Sequence, residues 1–314
     1  MSRTFKTILM FIVAVVSFVF FLIMVFPLDS LLGHFLASVE ERTQGEFRIT
    51  VEEMHPSLLF DSVLDGVVIA KKSPTGFEEI FATKHLEVNV SILSLISKTL
   101  DVNFSAQFAD GEINGNFKSA GQKNQLDVSL KKIDIEKLTF LAPYMDLEKV
   151  SFAVKGILSG DVYLVVTPQG LKDSELEFNL SVQKMSVQDI KIKTADHVIP
   201  NLTLSSSDNP ALFQGSLVSS QIRLHDMVLP GPDLDMQFKG KLNLKQEKTA
   251  FSVLRMDVKG RFAFSDPVLE AVPELGFLAE QKGTDGYYPI TLAGRLEKPS
   301  IRIGEMDVAP FLGM

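Results

Sequence analysis

From Phe47 onward, apolar and polar residues alternate with a period of two. Leu86, Val88, Val90 and Ile92 alternate with Glu87, Asn89 and Ser91; Leu100, Val102, Phe104, Ala106 and Phe108 alternate with Asp101, Asn103, Ser105 and Gln107. The pattern returns at Leu126-Val128-Leu130, Leu176-Phe178-Leu180-Val182, Phe251-Val253 and Ile301-Ile303. Successive side chains of a strand point to opposite faces, so this period puts one face on an apolar partner and the other in water. Turn residues punctuate the runs at Asp110-Gly111, Pro168-Gln169-Gly170, Asp208-Asn209-Pro210, Pro230-Gly231-Pro232 and Gly283-Thr284-Asp285-Gly286, and Asp110-Gly111 is the strongest hairpin signal among them. The pattern predicts a mainly β fold over residues 47–314: a large curved antiparallel sheet, either a groove or a folded-over sandwich, with two or three short helices. Helical spacing predicts those helices over Ile135–Met145 and Pro267–Gln281, the second capped by Asp266 with Pro267 in its first turn, and a weaker one over Ile92–Ser97.

Glycine recurs between apolar residues in these runs. The pattern apolar, any, Gly, any, apolar surrounds Gly66, Gly115, Gly156, Gly215, Gly240, Gly260 and Gly294. Positions i, i+2 and i+4 of a strand share a face, so each glycine is expected on the apolar face, where it leaves a gap. Two readings stay open. The glycines curve a large sheet, or they make room for a lipid chain or another element in a concave apolar groove. Their spacing is irregular and marks no solenoid repeat.

Ile8 to Phe26 is an apolar run broken only by Ser17 and free of charge. Ile8, Phe11, Val15, Phe18, Leu22 and Phe26 mark its length. A helix of about 19 residues reaches about 28 Å, close to the hydrocarbon thickness of a bilayer. Arg3 and Lys6 precede the run and predict a cytoplasmic N-terminus, with the body exported. The exit, Met24-Val25-Phe26-Pro27-Leu28-Asp29, has no small-residue cleavage site, so the segment reads as an uncleaved anchor. Residues 1–27 are then cytoplasmic start and anchor, 28–46 a juxtamembrane helix and linker, and 47–314 the periplasmic β domain of an inner-membrane protein. Leu28, Leu31, Leu32, Phe35, Leu36 and Val39 share a face of that linking helix.

The chain carries a formal net charge of −8; setting aside the cations Arg3 and Lys6 leaves the exported part at −10. That balance argues against nucleic acid as a partner and against adhesion to anionic headgroups by charge alone. With no cysteine, thiolate metal sites, cysteine nucleophiles and disulfides are excluded. The 24 Phe against 4 Tyr and no Trp suit a dry surface, since phenyl rings need no polar partner. No zinc-protease, serine-hydrolase, phosphate-loop or dinucleotide motif is present. His34, His55, His85, His197 and His225 lack metal-ligand spacing, and Asp233 and Asp235 read as a solvated turn and strand edge. The chain is expected to be no enzyme and to need no cofactor or metal.

The order of parts is distinctive. A basic start and a single span lead to Phe26-Pro27-Leu28-Asp29-Ser30-Leu31-Leu32, then Glu40-Glu41-Arg42-Thr43, Pro56-Ser57-Leu58-Leu59-Phe60 and Leu64-Asp65-Gly66-Val67. The chain closes on Gly286-Tyr287-Tyr288-Pro289-Ile290-Thr291-Leu292-Ala293-Gly294-Arg295-Leu296-Glu297-Lys298-Pro299. This resembles the type II secretion system protein N (GspN) family of Gram-negative bacteria, and it also looks related to AsmA-like proteins. The resemblance implies an inner-membrane subunit with a periplasmic β domain, working through contacts with other secretion subunits; the AsmA relationship implies lipid as the alternative partner. No catalytic residue comes with the resemblance.

Overall fold

The computed structural model describes residues 40–41, 43, 45–55, 61–73, 76–91, 94, 97, 99–138, 141, 145, 150–168, 170–192, 201–247, 250–295 and 298–308. The anchor Ile8–Phe26, the charges Arg3 and Lys6, most of the linking helix, the Pro56–Phe60 motif, His34 and His197 lie outside them. Among the described residues no helix is long and apolar enough to cross a membrane.

The chain is mainly β and antiparallel, and the contacts divide it into two compact units between Val90 and Ser91, inside what the sequence presents as one domain. The first unit holds β1 (Phe47–Thr50), β2 (Glu53–His55), β3 (Ser62–Ser73) and β4 (Gly76–Val90). Strand β3 pairs with β4 along one edge and successively with β2 and β1 along the other.

The second unit is one open antiparallel sheet. Its strands are β5 (Thr99–Phe108), β6 (Gly111–Ala120), β7 (Lys123–Asp134), β8 (Val150–Val166), β9 (Glu175–Ile192), β10 (Leu202–Thr203), β11 (Ala211–Val218), β12 (Gln221–Pro230), β13 (Leu234–Glu247), β14 (Ala250–Phe264), β15 (Tyr288–Arg295), β16 (Lys298–Ile303) and β17 (Met306–Asp307). Each strand pairs with its successor from β5 to β9 and from β11 to β17. Strand β9 joins the two runs: its first half pairs with β11, its second with β10. The β5–β6 turn is Ala109-Asp110, both left-handed, with Gly111 opening β6. Ser219-Ser220 adopts the same paired conformation between β11 and β12. Two left-handed central residues give the turn whose twist matches that of a hairpin.

The alternation read from the sequence becomes rows running across the sheet. One row passes through Phe104, Gly115, Val128, Val162, Phe178, Gly215, Leu224, Gly240, Val258, Leu292 and Ile301, each directly opposite the next. A slip of one residue would invert a strand's faces, and bulges absorb such slips here. One lies between Leu130 and Ile133, where Lys132 is left-handed and its N–H binds Ser159 Oγ at 3.0 Å.

Burial is uneven along the strands. Ile133, Val182, Ala211 and Leu229 are buried with Ile135, Leu138 and Leu204, under the 3-10 turn Ile135–Lys137 and the segment containing β10. Phe262, Tyr288 and Ile303 are buried with Leu278 and Val308; the Phe262 and Tyr288 rings stack at 5.3 Å. Toward the other end of the strands most apolar side chains are only half-buried, Val165, Leu217 and Val258 excepted.

The expected helix over Pro267–Gln281 is two elements: the α-helix α1 (Asp266–Ala271) and a 3-10 helix Pro273–Gln281. Pro273 disfavours helical backbone at the residue before it, and Val272 sits at φ −128 and ψ 75. The N-cap is Ser265, not Asp266, and its side chain makes no capping bond. Of Ile135–Met145, the 3-10 turn is the described helical element. Most of Ile92–Ser97 falls outside the described residues.

Candidate binding face

The second unit offers two contrasting surfaces, and the glycines belong to the apolar one. Gly115 lies opposite Phe104, Gly215 opposite Phe178 and Gly260 opposite Phe238. In each pair the phenyl ring covers the glycine; a Cβ at Gly215 would stand 2.5 Å from Phe178 Cζ. A Cβ at Gly240 would meet Val258, and one at Gly156 would come 2.7 Å from Val182 Cγ1. The gaps expected at these positions are filled by neighbouring side chains. Gly156, at φ +155, is the bulge residue in the β8–β9 register shift between Lys155 and Ile157, and Gly294 lies opposite Pro299 at φ +100.

Gly66 stands apart from the other six. At φ +62 it bends β3 between the segments that pair with β2 and β1, and the space beside it holds the Glu52 side chain. The bend shifts the alternation, so Leu64 and Val67 are both buried. Only glycine takes this backbone region without a steric cost.

The polar face of β5–β12 carries a groove of about 960 Å³. Asn103, Asn114, Asn116, Asp127, Ser129, Asp161, Tyr163, Glu177, Asn179, Gln214, Ser216 and His225 line it. The lining holds no Lys or Arg. Asn116 Nδ2 donates to Asp101 Oδ1 at 2.7 Å and to Asn103 Oδ1 at 2.8 Å, Gln214 Nε2 donates to Asn179 Oδ1 at 2.9 Å, and Ser216 Oγ lies 2.8 Å from His225 Nε2. Asn116 Oδ1 is buried and unpartnered. Amides and carboxylates in such ladders orient hydrogen bonds. Among the described residues no cluster of His, Asp or Glu could hold a metal ion.

In the first unit His85 Nδ1 lies 2.9 Å from Asp65 Oδ1, and His55 Nε2 lies 3.6 Å from Asp65 Oδ2. The hydrogen bond to Asp65 raises the His85 pKa above its ordinary value, with Glu87 adding to the effect. Sequence separation hides this arrangement; only the β2–β3–β4 register brings the groups together.

Asp233 and Asp235 are structural rather than free. Asp233 Oδ2 accepts the Thr203 N–H at 2.7 Å and fixes β10, while Asp235 Oδ2 accepts the Tyr287 hydroxyl at 2.8 Å. That bond raises the Tyr287 pKa, and the Tyr287 N–H bond to Asp285 holds that carboxyl below its usual range. Tyr287 and Tyr288, from the closing motif, face opposite ways: one onto Asp235, the other into the core.

Comparison with known proteins found no matching family model, no similar curated protein and no similar solved structure.

Proposed function

We propose that this chain is a non-enzymatic, inner-membrane-anchored component of the type II protein secretion system, with its β units in the periplasm, acting through protein–protein contacts. The carrying observation is the build of the second unit. Its strands form one open layer whose glycine gaps are closed by its own phenyl rings. Such a layer presents extended area, which suits partner subunits. The apolar Ile8–Phe26 run and the motifs that end at Pro299 support the same reading. The test is mass spectrometry of the full-length protein purified gently from its own membranes, with proteins and lipids read from one sample. Stoichiometric secretion subunits are expected; their absence would sink the reading.

One observation favours a second reading, an AsmA-like lipid-binding face. Away from the two buried clusters, Phe104, Val128, Val162, Phe178 and Leu224 remain half-buried on a continuous apolar row. In that case the same sample contains phospholipid at close to one per chain and no secretion subunit.

A further inference from the structure

The polar face of the second unit is divided by charge, which the net charge of the chain conceals. Along β5–β9 this face carries Asp101, Glu112, Asp127, Asp161, Glu175 and Glu177, with Lys118 and Lys131 bound to Asp101 and Glu112 at 3.8 Å each. Along β12–β16 the balance reverses. Arg223 stands directly opposite Lys241, Lys239 opposite Lys259, and Arg255 opposite Arg295. All six are exposed.

Like charges directly opposed across strands are destabilising. Three such pairs on four adjacent strands therefore oppose folding, and acids relieve them only in part. Asp226 pairs with Lys239 at 2.9 Å, Asp235 is taken by Tyr287, and Asp257 lies opposite Lys241. Arg223, Lys241, Arg255, Lys259 and Arg295 have no ion-pair partner among the described residues. With strands about 4.8 Å apart and about 3.4 Å per residue, the cations spread over a patch about 14 Å on a side. A single small anion would need a convergent site. Regularly spaced cations over such an area match a surface of repeated negative groups.

The geometry points to β12–β16 as a docking surface for the anionic phospholipid headgroups of a bilayer. Each Lys or Arg close to an anionic leaflet contributes attraction that falls off over a Debye length. At one edge of the patch Lys239, Lys259 and Arg261 border an open cleft of about 500 Å³ that the loop holding Asp285 and Tyr287 also lines. Arg261 is fixed there, its guanidinium bound to Asp285 at 3.1 Å and stacked 4.4 Å over the Tyr287 ring. Lys259, unpaired beside it, is free to meet a headgroup phosphate. The choice of a bilayer over an acidic protein rests on the anchor reading, because a tethered face meets its own membrane at high effective concentration.

The test reconstitutes the full-length chain in vesicles of phosphatidylcholine, alone or with part replaced by phosphatidylglycerol, and measures amine-reactive labelling of individual lysines. Incorporation into the neutral vesicles reports on the anchor separately from the face. On adding phosphatidylglycerol, labelling of Lys241 and Lys259 is expected to fall about five-fold or more and to recover in high salt, while Lys123 and Lys131 stay unchanged. Combining Arg223→Gln, Arg255→Gln and Arg295→Gln, all exposed positions, is expected to abolish the protection. Equal labelling in both vesicles overturns the proposal. So does protection that appears only with an acidic protein partner.

Discussion

The Phe178 ring on β9 lies over the bare backbone of Gly215 on β11, directly across the strand pair. A Cβ at Gly215 would meet both that ring, at 2.5 Å, and the Arg223 carbonyl oxygen, at 2.8 Å. The ring can swing aside, but the carbonyl belongs to the sheet. Gly215→Ala is expected to destabilise the second unit by about 1–3 kcal/mol in urea denaturation, the usual cost of overpacking. Adding Phe178→Leu recovers only the ring's share, so the double mutant stays less stable than Phe178→Leu alone.

Ser205 is 1 % exposed, and its Oγ donates to the Val182 carbonyl at 2.8 Å while accepting the Met185 N–H at 2.9 Å. It thereby bridges β9 where Lys184 turns left-handed. Ser205→Ala leaves a buried donor and a buried acceptor unmade, at about 1–3 kcal/mol each if no water enters. Faster amide exchange at Met185 than in the unmodified protein is the local readout. Unchanged exchange there would mean the bridge is dispensable.

His85 faces Asp65 and Glu87, and Asp65 also faces His55. The His85 pKa is raised, chiefly by the hydrogen bond to Asp65. Its stabilising contribution is therefore full below the unfolded value near 6.5 and is lost as pH rises through the folded value. NMR titration of the His85 ring should give a midpoint above 6.5 in the native protein, falling toward the ordinary value in Asp65→Asn. The pair is exposed, so global stability should change little.

Tyr287 donates its hydroxyl to Asp235, whose Oδ1 is already buried without a partner. Tyr287→Phe removes the remaining donor and is expected to cost about 1–3 kcal/mol. Exchange of the Gly283 N–H, bound to the Tyr287 carbonyl at 2.7 Å, should then accelerate as the loop loosens. In the unmodified protein, tyrosinate absorbance from Tyr287 should appear only above the ordinary phenol range.

The strands were legible because period two is a local property. Leu100 to Phe108 lies in β5, Leu126 to Leu130 in β7 and Leu176 to Val182 in β9. The Ser219-Ser220 turn was not legible, since it takes a left-handed conformation without the Gly or Asn that signals one. The break at Val272 followed from Pro273 in the sequence, yet helical spacing outweighed it. Register is non-local, so nothing in the chain order puts Phe178 over Gly215, Arg255 against Arg295 or His85 beside Asp65. A net charge averages over both ends of a face, and it hid the cationic strands behind the acidic ones.

Because nearly every strand of the second unit pairs with its immediate successor, loop closure costs little at each step. Assembly can proceed by accretion, one hairpin templating the next, without waiting for distant segments to meet. A chain emerging from its N-terminus would then begin to fold before its tail is complete, and a hairpin could be added or lost without a change of topology.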